Sequence, residues 1–213
     1  MGDKLPLPRG LYALLDDSLL PLERLAEASA AVARAGCRVL QLRLERTADR
    51  PALALVRQVV EAVGSRALVI VNDRVDLALL GGAHGAHLGE EDLPLPMARK
   101  LAPHLLLGAT CRTEADVRRA KDQGADYAGV GPVFTTSTKV VQAALLGLDG
   151  LREICAANVL PVVAIAGIDL PRITDVARAG AHGAAVGSDL LVGGAIEARA
   201  RALVEAFGPG ASK

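Results

Sequence analysis

Gly124-Ala125-Asp126-Tyr127-Ala128-Gly129-Val130-Gly131, running on into Pro132-Val133-Phe134-Thr135-Thr136-Ser137-Thr138-Lys139, is the stretch on which the fold turns. Its first glycine stands just past a helical pattern, where a left-handed cap is wanted. A short apolar strand, Tyr127–Gly131, begins within a few residues. Small residues and a proline end that strand, and hydroxyls and a lysine follow before any helix can start. Hydroxyl and ammonium donors on a glycine-released loop suit an anionic, phosphate-bearing ligand. The loop is not a P-loop, because the order G-x-x-x-x-G-K-[ST] is absent.

Outward from this stretch the same joint recurs, at Ala35-Gly36-Cys37 and at Gly180-Ala181-His182. Short apolar runs alternate with helical patterns along the whole chain. Strands are expected at 11–15, 38–43, 67–72, 85–88, 105–110, 127–131, 162–165 and 183–186. Helices are expected at 22–35, from Thr47 to about Val63, 75–80, 95–101, 113–123, 148–157, 170–179 and, as one final helix, Leu190–Phe207. Thr113 is the expected N-cap of its helix, with Asp116 three residues on. Glycine-capped returns without hairpin turns imply parallel strands, and strands apolar on both faces imply a sheet covered by helices. Eight such units in 213 residues fit a closed (β/α)8 TIM barrel, α/β in class. A doubly wound open sheet is the alternative. Against it, the first strand lacks G-x-G-x-x-G, and polar residues gather after nearly every strand. The chain reads as a single domain over 1–213, with a loose tail at 208–213.

Lys plus Arg and Asp plus Glu are both 24, so no charge excess points to nucleic acid or membrane as a partner. Aromatic residues are 2% with no Trp, which removes base-stacking platforms. The N-terminus has no apolar leader segment, and no 18-residue apolar run occurs. Cys37, Cys111 and Cys155 lack metal spacing, which suits a reducing cytoplasm. Whether the chain forms a homo-oligomer is left open.

In a barrel the carboxyl ends of all strands form one rim, and chemistry sits there. This rim is expected to gather Gln41 and Arg43, then Asn72, Asp73 and Arg74, then His87, Gly89, Glu90, Glu91 and Asp92. Thr110 and Arg112 follow, then the Thr-rich loop with Lys139, then Ala166-Gly167, then Gly187-Ser188-Asp189. Each has a plain alternative: Asn72 or Asp92 as a helix cap, Arg43 as a rim ion pair. Asp73 and Asp92, on neighbouring strands, can share one Mg2+ with water and a substrate phosphate. His84 and His87 fall on opposite strand faces, which disfavours a zinc pair. Gly167 and Gly187 let backbone amides approach a ligand, and Ser188 opens the last helix, whose N-terminal dipole favours an anion. Two anion sites follow. One is fed by Arg43, Lys139 and a metal and suits a diphosphate. The other is uncharged backbone and suits a monophosphate.

Val71-Asn72-Asp73-Arg74-Val75-Asp76-Leu77-Ala78, His87-Leu88-Gly89-x-x-Asp92-Leu93-Pro94 and the opening stretch through Thr136, Thr138 and Lys139 resemble thiamine phosphate synthase. The resemblance runs in order from Gly10-Leu11-Tyr12 to about Leu190. It implies a (β/α)8 barrel that joins hydroxymethylpyrimidine diphosphate to hydroxyethylthiazole phosphate, with loss of pyrophosphate and help from magnesium. It further implies that Gln41, Arg43, Asn72 and Lys139 hold the pyrimidine diphosphate, and that Asp73 and Asp92 hold Mg2+. Thr136 and Thr138, with the amides of Gly167, Gly187 and Ser188, would hold the thiazole phosphate. Thr110 belongs to the same substrate-binding set, and Arg43 and Lys139 would stabilise the leaving group.

The chain departs from the family pattern in places. The Gln-x-Arg-x-Lys strand end reads Gln41-Leu42-Arg43-Leu44-Glu45, a charge reversal beside a diphosphate. Gly-Gln reads Gly89-Glu90, Ser-x-His reads Thr110-Cys111-Arg112, and Gly-Gly-Ile reads Ala166-Gly167-Ile168. Thr135 replaces a proline, and Gly187 a branched apolar residue. Arg46 or Arg112 is the candidate to restore the lost charge; Glu45 is expected to weaken the positive rim, with pairing to Arg46, Arg112 or a neighbouring helix as the alternative. Two rival functions remain: a diverged barrel that binds a phosphorylated precursor without coupling it, and a thiazole-phosphate tautomerase. Pro132, where the tautomerase carries its histidine, speaks against the second.

Overall fold

Eight parallel strands close on themselves in sequence order, each neighbour paired with the next and β1 paired with β8. The strands of this computed structural model are β1 Gly10–Asp16, β2 Val39–Arg43, β3 Leu68–Asn72, β4 Gly85–Leu88, β5 Leu106–Cys111, β6 Tyr127–Val130, β7 Val162–Ala164 and β8 Gly183–Val186. Between and after them lie α1 Leu22–Arg34, α2 Asp49–Val63, α3 Val75–Gly81, α4 Leu95–Leu101, α5 Glu114–Asp122, α6 Gly147–Ala156, α7 Leu170–Arg178, α8 Ser188–Leu191 and α9 Ile196–Phe207. The structure describes residues 5–135 and 144–208, so Thr136, Thr138, Lys139 and the tail from 209 lie outside the described residues.

Period-two alternation sorts the strand residues into two cores. One set points outward to the helices, as Leu40 and Leu42 of β2 do, and forms the large core between sheet and helix ring. The other set fills the barrel itself: Tyr12, Val39, Ile70, Leu106, Tyr127, Val163 and Ala185, with Leu7 below. The interior is narrow, so small residues must face the large ones. A Cβ on Gly108 would sit 2.1 Å from Cζ of Tyr127, and one on Gly85 would sit 2.3 Å from the Leu106 carbonyl oxygen.

The glycine joints behave as the sequence implies. Gly36, Gly124 and Gly180 have φ of 98°, 99° and 94°, which lets each helix end and the next strand start at once. Thr113 caps α5 in a reciprocal capping box with Asp116. Two expected helix boundaries are corrected. The long second helix opens at Asp49 rather than Thr47, because the Thr47 hydroxyl donates to Asp17 Oδ2 at 2.7 Å instead of capping. The expected single helix Leu190–Phe207 is two, α8 and α9, since Gly193 and Gly194 adopt φ of 113° and 84° and break the ladder. Ser188 therefore opens a four-residue turn of helix and not the long last helix, and the dipole expected there is correspondingly small.

Candidate active site

The site has a neutral floor. Inside the barrel mouth Gln41 Nε2 donates to the Tyr12 hydroxyl at 3.0 Å, and Tyr12 and Tyr127 share a hydrogen bond of 2.7 Å between their hydroxyls. The Tyr127 hydroxyl lies 3.2 Å from His87 Nδ1, and His87 Nε2 lies 3.1 Å from Thr110 Oγ1. Five strands thus contribute to one hydrogen-bonded chain, and Gln41 and His87 are among the few buried polar side chains. Burial pushes both tyrosines well above their ordinary range. Burial, with the nearby Arg43 charge, lowers His87 to about 4, so the imidazole is neutral at pH 7. Gly108 and Gly129 leave room for the ring; a Cβ on Gly129 would meet His87 Cε1 at 2.8 Å.

Above this floor, on the β2–β4 side, the rim is charged. Arg43 ends β2 with Nη2 donating to Glu45 Oε1 at 2.7 Å, and its Nε lies 3.2 Å from Asp16 Oδ2. That Nε is buried, and its Asp16 neighbour lies off the hydrogen-bond direction, which leaves the N–H unmet. Asp73 follows β3 in a left-handed conformation, φ 61°, held by its N–H on the His87 carbonyl at 2.8 Å. Burial, the adjacent Asp92 carboxylate and Glu45 together raise the Asp73 carboxyl to about 7, with Arg43 opposing. Asp92 accepts from the Gly89 N–H at 2.6 Å through Oδ2. Neither Asn72 nor Asp92 caps a helix: the residues at those positions are Arg74 and Pro94. Among the described residues no three His, Cys, Asp or Glu side chains are grouped to hold a metal ion. A pair of adjacent carboxylates would fit a hard cation that completes its shell with water and substrate oxygen.

On the β6–β8 side the rim is backbone. The N–H groups of Gly167, Ile168, Gly187 and Ser188 donate to no partner among the described residues. Ala166 and Gly167 are left-handed in succession, φ 74° and 68°. The turn lies hard against the loop after β6: a Cβ on Gly167 would meet the Thr135 carbonyl oxygen at 2.4 Å and Phe134 Cβ at 2.7 Å. Gly187 faces Leu14 more loosely, with a Cβ clearance of 3.4 Å.

The structure brings Gln41, Arg43, Asp73, Asp92, Thr110, Gly167, Gly187 and Ser188 to one rim, with Asn72 at the end of β3 beside them. It turns others away. Arg74 points outward to Asp49 and Asp76, at 2.7 and 2.6 Å. Arg112 sits 3.7 Å from Glu90, both exposed, beside a cleft of about 500 Å3 between the β4 and β5 loops whose lining includes Asp92 and Thr110. The alternative in which Glu45 pairs with Arg46, Arg112 or a helix is replaced by another pair: its partner is Arg43, two residues back, across the turn that follows β2. His84, on the opposite face from His87, accepts from the Val69 N–H at 3.1 Å. Tyr12 and Tyr127 were not singled out by sequence. The available signal was that the chain's two tyrosines both sit inside strands, where a buried hydroxyl requires a partner.

Known proteins resemble this chain over nearly its whole length. A family model described as thiamine monophosphate synthase matches residues 11–190. A thiamine-phosphate synthase of Myxococcus xanthus is 50% identical over 206 residues, 96% of this chain and 94% of its own length. One from Anaeromyxobacter dehalogenans is 42% identical over 202 residues, 94% and 89% of the two chains. Among solved structures, a thiamine phosphate pyrophosphorylase from Pyrococcus furiosus superposes with a TM-score of 0.83 at 32% identity, covering 93% of this chain and 95% of that one.

Proposed function

The chain belongs to the thiamine monophosphate synthase family, and from that premise we propose how its rim divides the family's reaction between two anion sites. The protein is a transferase that couples hydroxymethylpyrimidine diphosphate to hydroxyethylthiazole phosphate and releases pyrophosphate. In our reading the diphosphate lies on the charged side, against Arg43 and Lys139, with Gln41, Asn72 and Thr110 around the pyrimidine. Asp73 and Asp92 hold Mg2+. The thiazole phosphate takes the open amides of Gly167, Gly187 and Ser188, together with Thr136 and Thr138.

The reaction so arranged is dissociative. The bond from the pyrimidine methylene carbon to the diphosphate oxygen breaks, the electron pair leaves with pyrophosphate, and the thiazole nitrogen then captures the aminopyrimidine-stabilised cation. No proton has to be removed from the nucleophile, so charge stabilisation matters more than a general base. Mg2+, when bound, supplies positive charge to the departing oxygens. Arg43 supplies the rest from its unmet buried N–H. The observation that carries this reading is the placing of Arg43, Asp73 and Asp92 over a floor whose titrating groups are all held neutral. A floor without charge keeps the local dielectric low, which strengthens every interaction with the leaving group.

The test is incubation of the pure protein with Mg2+ and both precursors, followed by mass detection of thiamine phosphate. Product is expected, and none in excess EDTA. Tight binding of a precursor without product would favour the non-coupling barrel, for which the Glu45–Arg43 pair is the relevant observation. We assign the protein to the cytoplasm. Supporting this are three free thiols and the absence, among the described residues, of a helix long and apolar enough to cross a membrane.

A further inference from the structure

We propose that Arg172 is a positioning residue: it locks the loop after β6 against the Ala166–Gly167 turn and so fixes the geometry of the monophosphate pocket. The inference rests on the two-site reading above and adds to it a residue that neither the sequence motifs nor the family pattern singled out.

Arg172 lies in the first turn of α7. Its Nη1 donates to the Gly167 carbonyl oxygen at 2.7 Å. The same guanidinium covers the Phe134 ring, with its carbon 5.0 Å from the ring centroid. Asp169 holds the arginine from behind: Oδ1 accepts from the Arg172 N–H at 3.1 Å, and Oδ2 lies 3.5 Å from Nη1. One side chain therefore bridges the end of β7 to the loop leaving β6. That loop is already tied to the turn by backbone, Val133 N–H to the Ile165 carbonyl at 3.0 Å and Phe134 N–H to the Ala166 carbonyl at 3.3 Å.

The turn needs such a clamp. Ala166 carries a side chain at φ 74°, a conformation that persists only where the surroundings over-determine it. The Gly167 carbonyl that Arg172 holds shares its peptide with the Ile168 N–H, and the Ala166 carbonyl that Phe134 holds shares its peptide with the Gly167 N–H, so the clamp orients both amides. The arginine side chain is 46% exposed and pairs with Asp169, so its own charge is screened. Its contribution is geometric. A planar fork can donate along its edge while its face rests on a ring; an ammonium cannot do both.

Steady-state coupling kinetics with each substrate varied separately test this. Arg172→Ala should raise KM for the thiazole phosphate about tenfold, the size of one lost charge-assisted hydrogen bond with its cation–π contact. The kcat value and KM for the pyrimidine diphosphate should stay within about twofold, and the thermal midpoint within about 2 °C. Arg172→Lys should fall between wild type and Ala. Phe134→Ala should reproduce the selective rise, and the double variant should be no worse than the worse single one, because the pair acts as a unit. An unchanged KM for the thiazole phosphate, an equal rise for both substrates, or additive single effects would each overturn the proposal. Calorimetric binding of the thiazole phosphate to wild type and Arg172→Ala is run alongside. A wild type that fails to couple then counts against the two-site reading, while the binding difference still decides the role of Arg172.

Discussion

In the proposed reading the two halves of the rim recognise anions by opposite means. The β2–β4 half works with side chains: Arg43 set between Asp16 and Glu45, and Asp73 raised to about 7 by burial first and then by its neighbour Asp92. The β6–β8 half works with backbone: four amides open among the described residues, two successive left-handed residues and a glycine at which no Cβ fits. The first half can be tuned by exchanging one side chain, since Glu45 takes up one of the donors of Arg43. The second is set by chain path, and it is tightest at Gly167, where an added Cβ would meet the Thr135 carbonyl oxygen at 2.4 Å.

The largest effect should come from breaking the charged half. Asp92→Ala removes a carboxylate from the Mg2+ pair and is expected to lower coupling at least about a hundredfold, the order seen when one strong electrostatic contact to a transition state is lost. The fold should survive, because the truncated group lies at the rim and leaves no core cavity. Activity that persists unchanged in EDTA would end the metal assignment. A breach of the backbone half should be smaller and substrate-selective. Gly167→Ala places a methyl 2.4 Å from the Thr135 carbonyl oxygen, so the turn must shift. A rise of about tenfold in KM for the thiazole phosphate is expected, with stability lowered by about 1–3 kcal/mol for the strained backbone. An equal rise in KM for the pyrimidine diphosphate would show that the halves are not separate.

A gain is expected from Glu45→Lys. It frees Arg43 from one of its two carboxylates and adds a positive charge to the diphosphate side. The ratio kcat/KM for the pyrimidine diphosphate should rise a few-fold at low salt and converge on wild type as ionic strength climbs, since an open rim is screened over about 8 Å at physiological salt. A flat or falling value at low salt would mean that Glu45 is an accommodated part of the site. The smallest effect concerns the metal-free protein. The folded-state value of Asp73 lies above its ordinary value, so the folded chain keeps a proton that the unfolded chain gives up. Stability from this residue is therefore lost as pH rises from about 4 to about 7, and stays lost above. Asp73→Asn, which also suits a left-handed φ, should raise the thermal midpoint in EDTA at pH 8 by about 2 °C, and by less at pH 5. A gain that grows toward pH 5 would reverse the sign of the argument.

Sequence carried the barrel because its signals were local. A glycine after each of three helices fixes a return without a hairpin, and seven helix-to-strand returns in a row leave few topologies. It carried the rim because parallel strands must end together. What it did not carry depends on three-dimensional neighbours. Thr47 looks like a helix cap until Asp17, 30 residues away, takes its hydroxyl. The Arg43–Glu45 pair forms across the turn just past the end of β2, and Arg112 drops out as a competitor only once it is seen beside Glu90. The tyrosine floor joins residues 115 apart, and Arg172 looks like any exposed arginine in a first helical turn.

The most direct test of the division is calorimetric titration of the wild type with inorganic pyrophosphate and with the thiazole phosphate, each in Mg2+ and in EDTA. The account predicts that pyrophosphate binds in Mg2+ and loses at least about tenfold in affinity in EDTA, while the thiazole phosphate binds equally in both. Equal dependence of the two ligands on Mg2+, or independence of both, would contradict it.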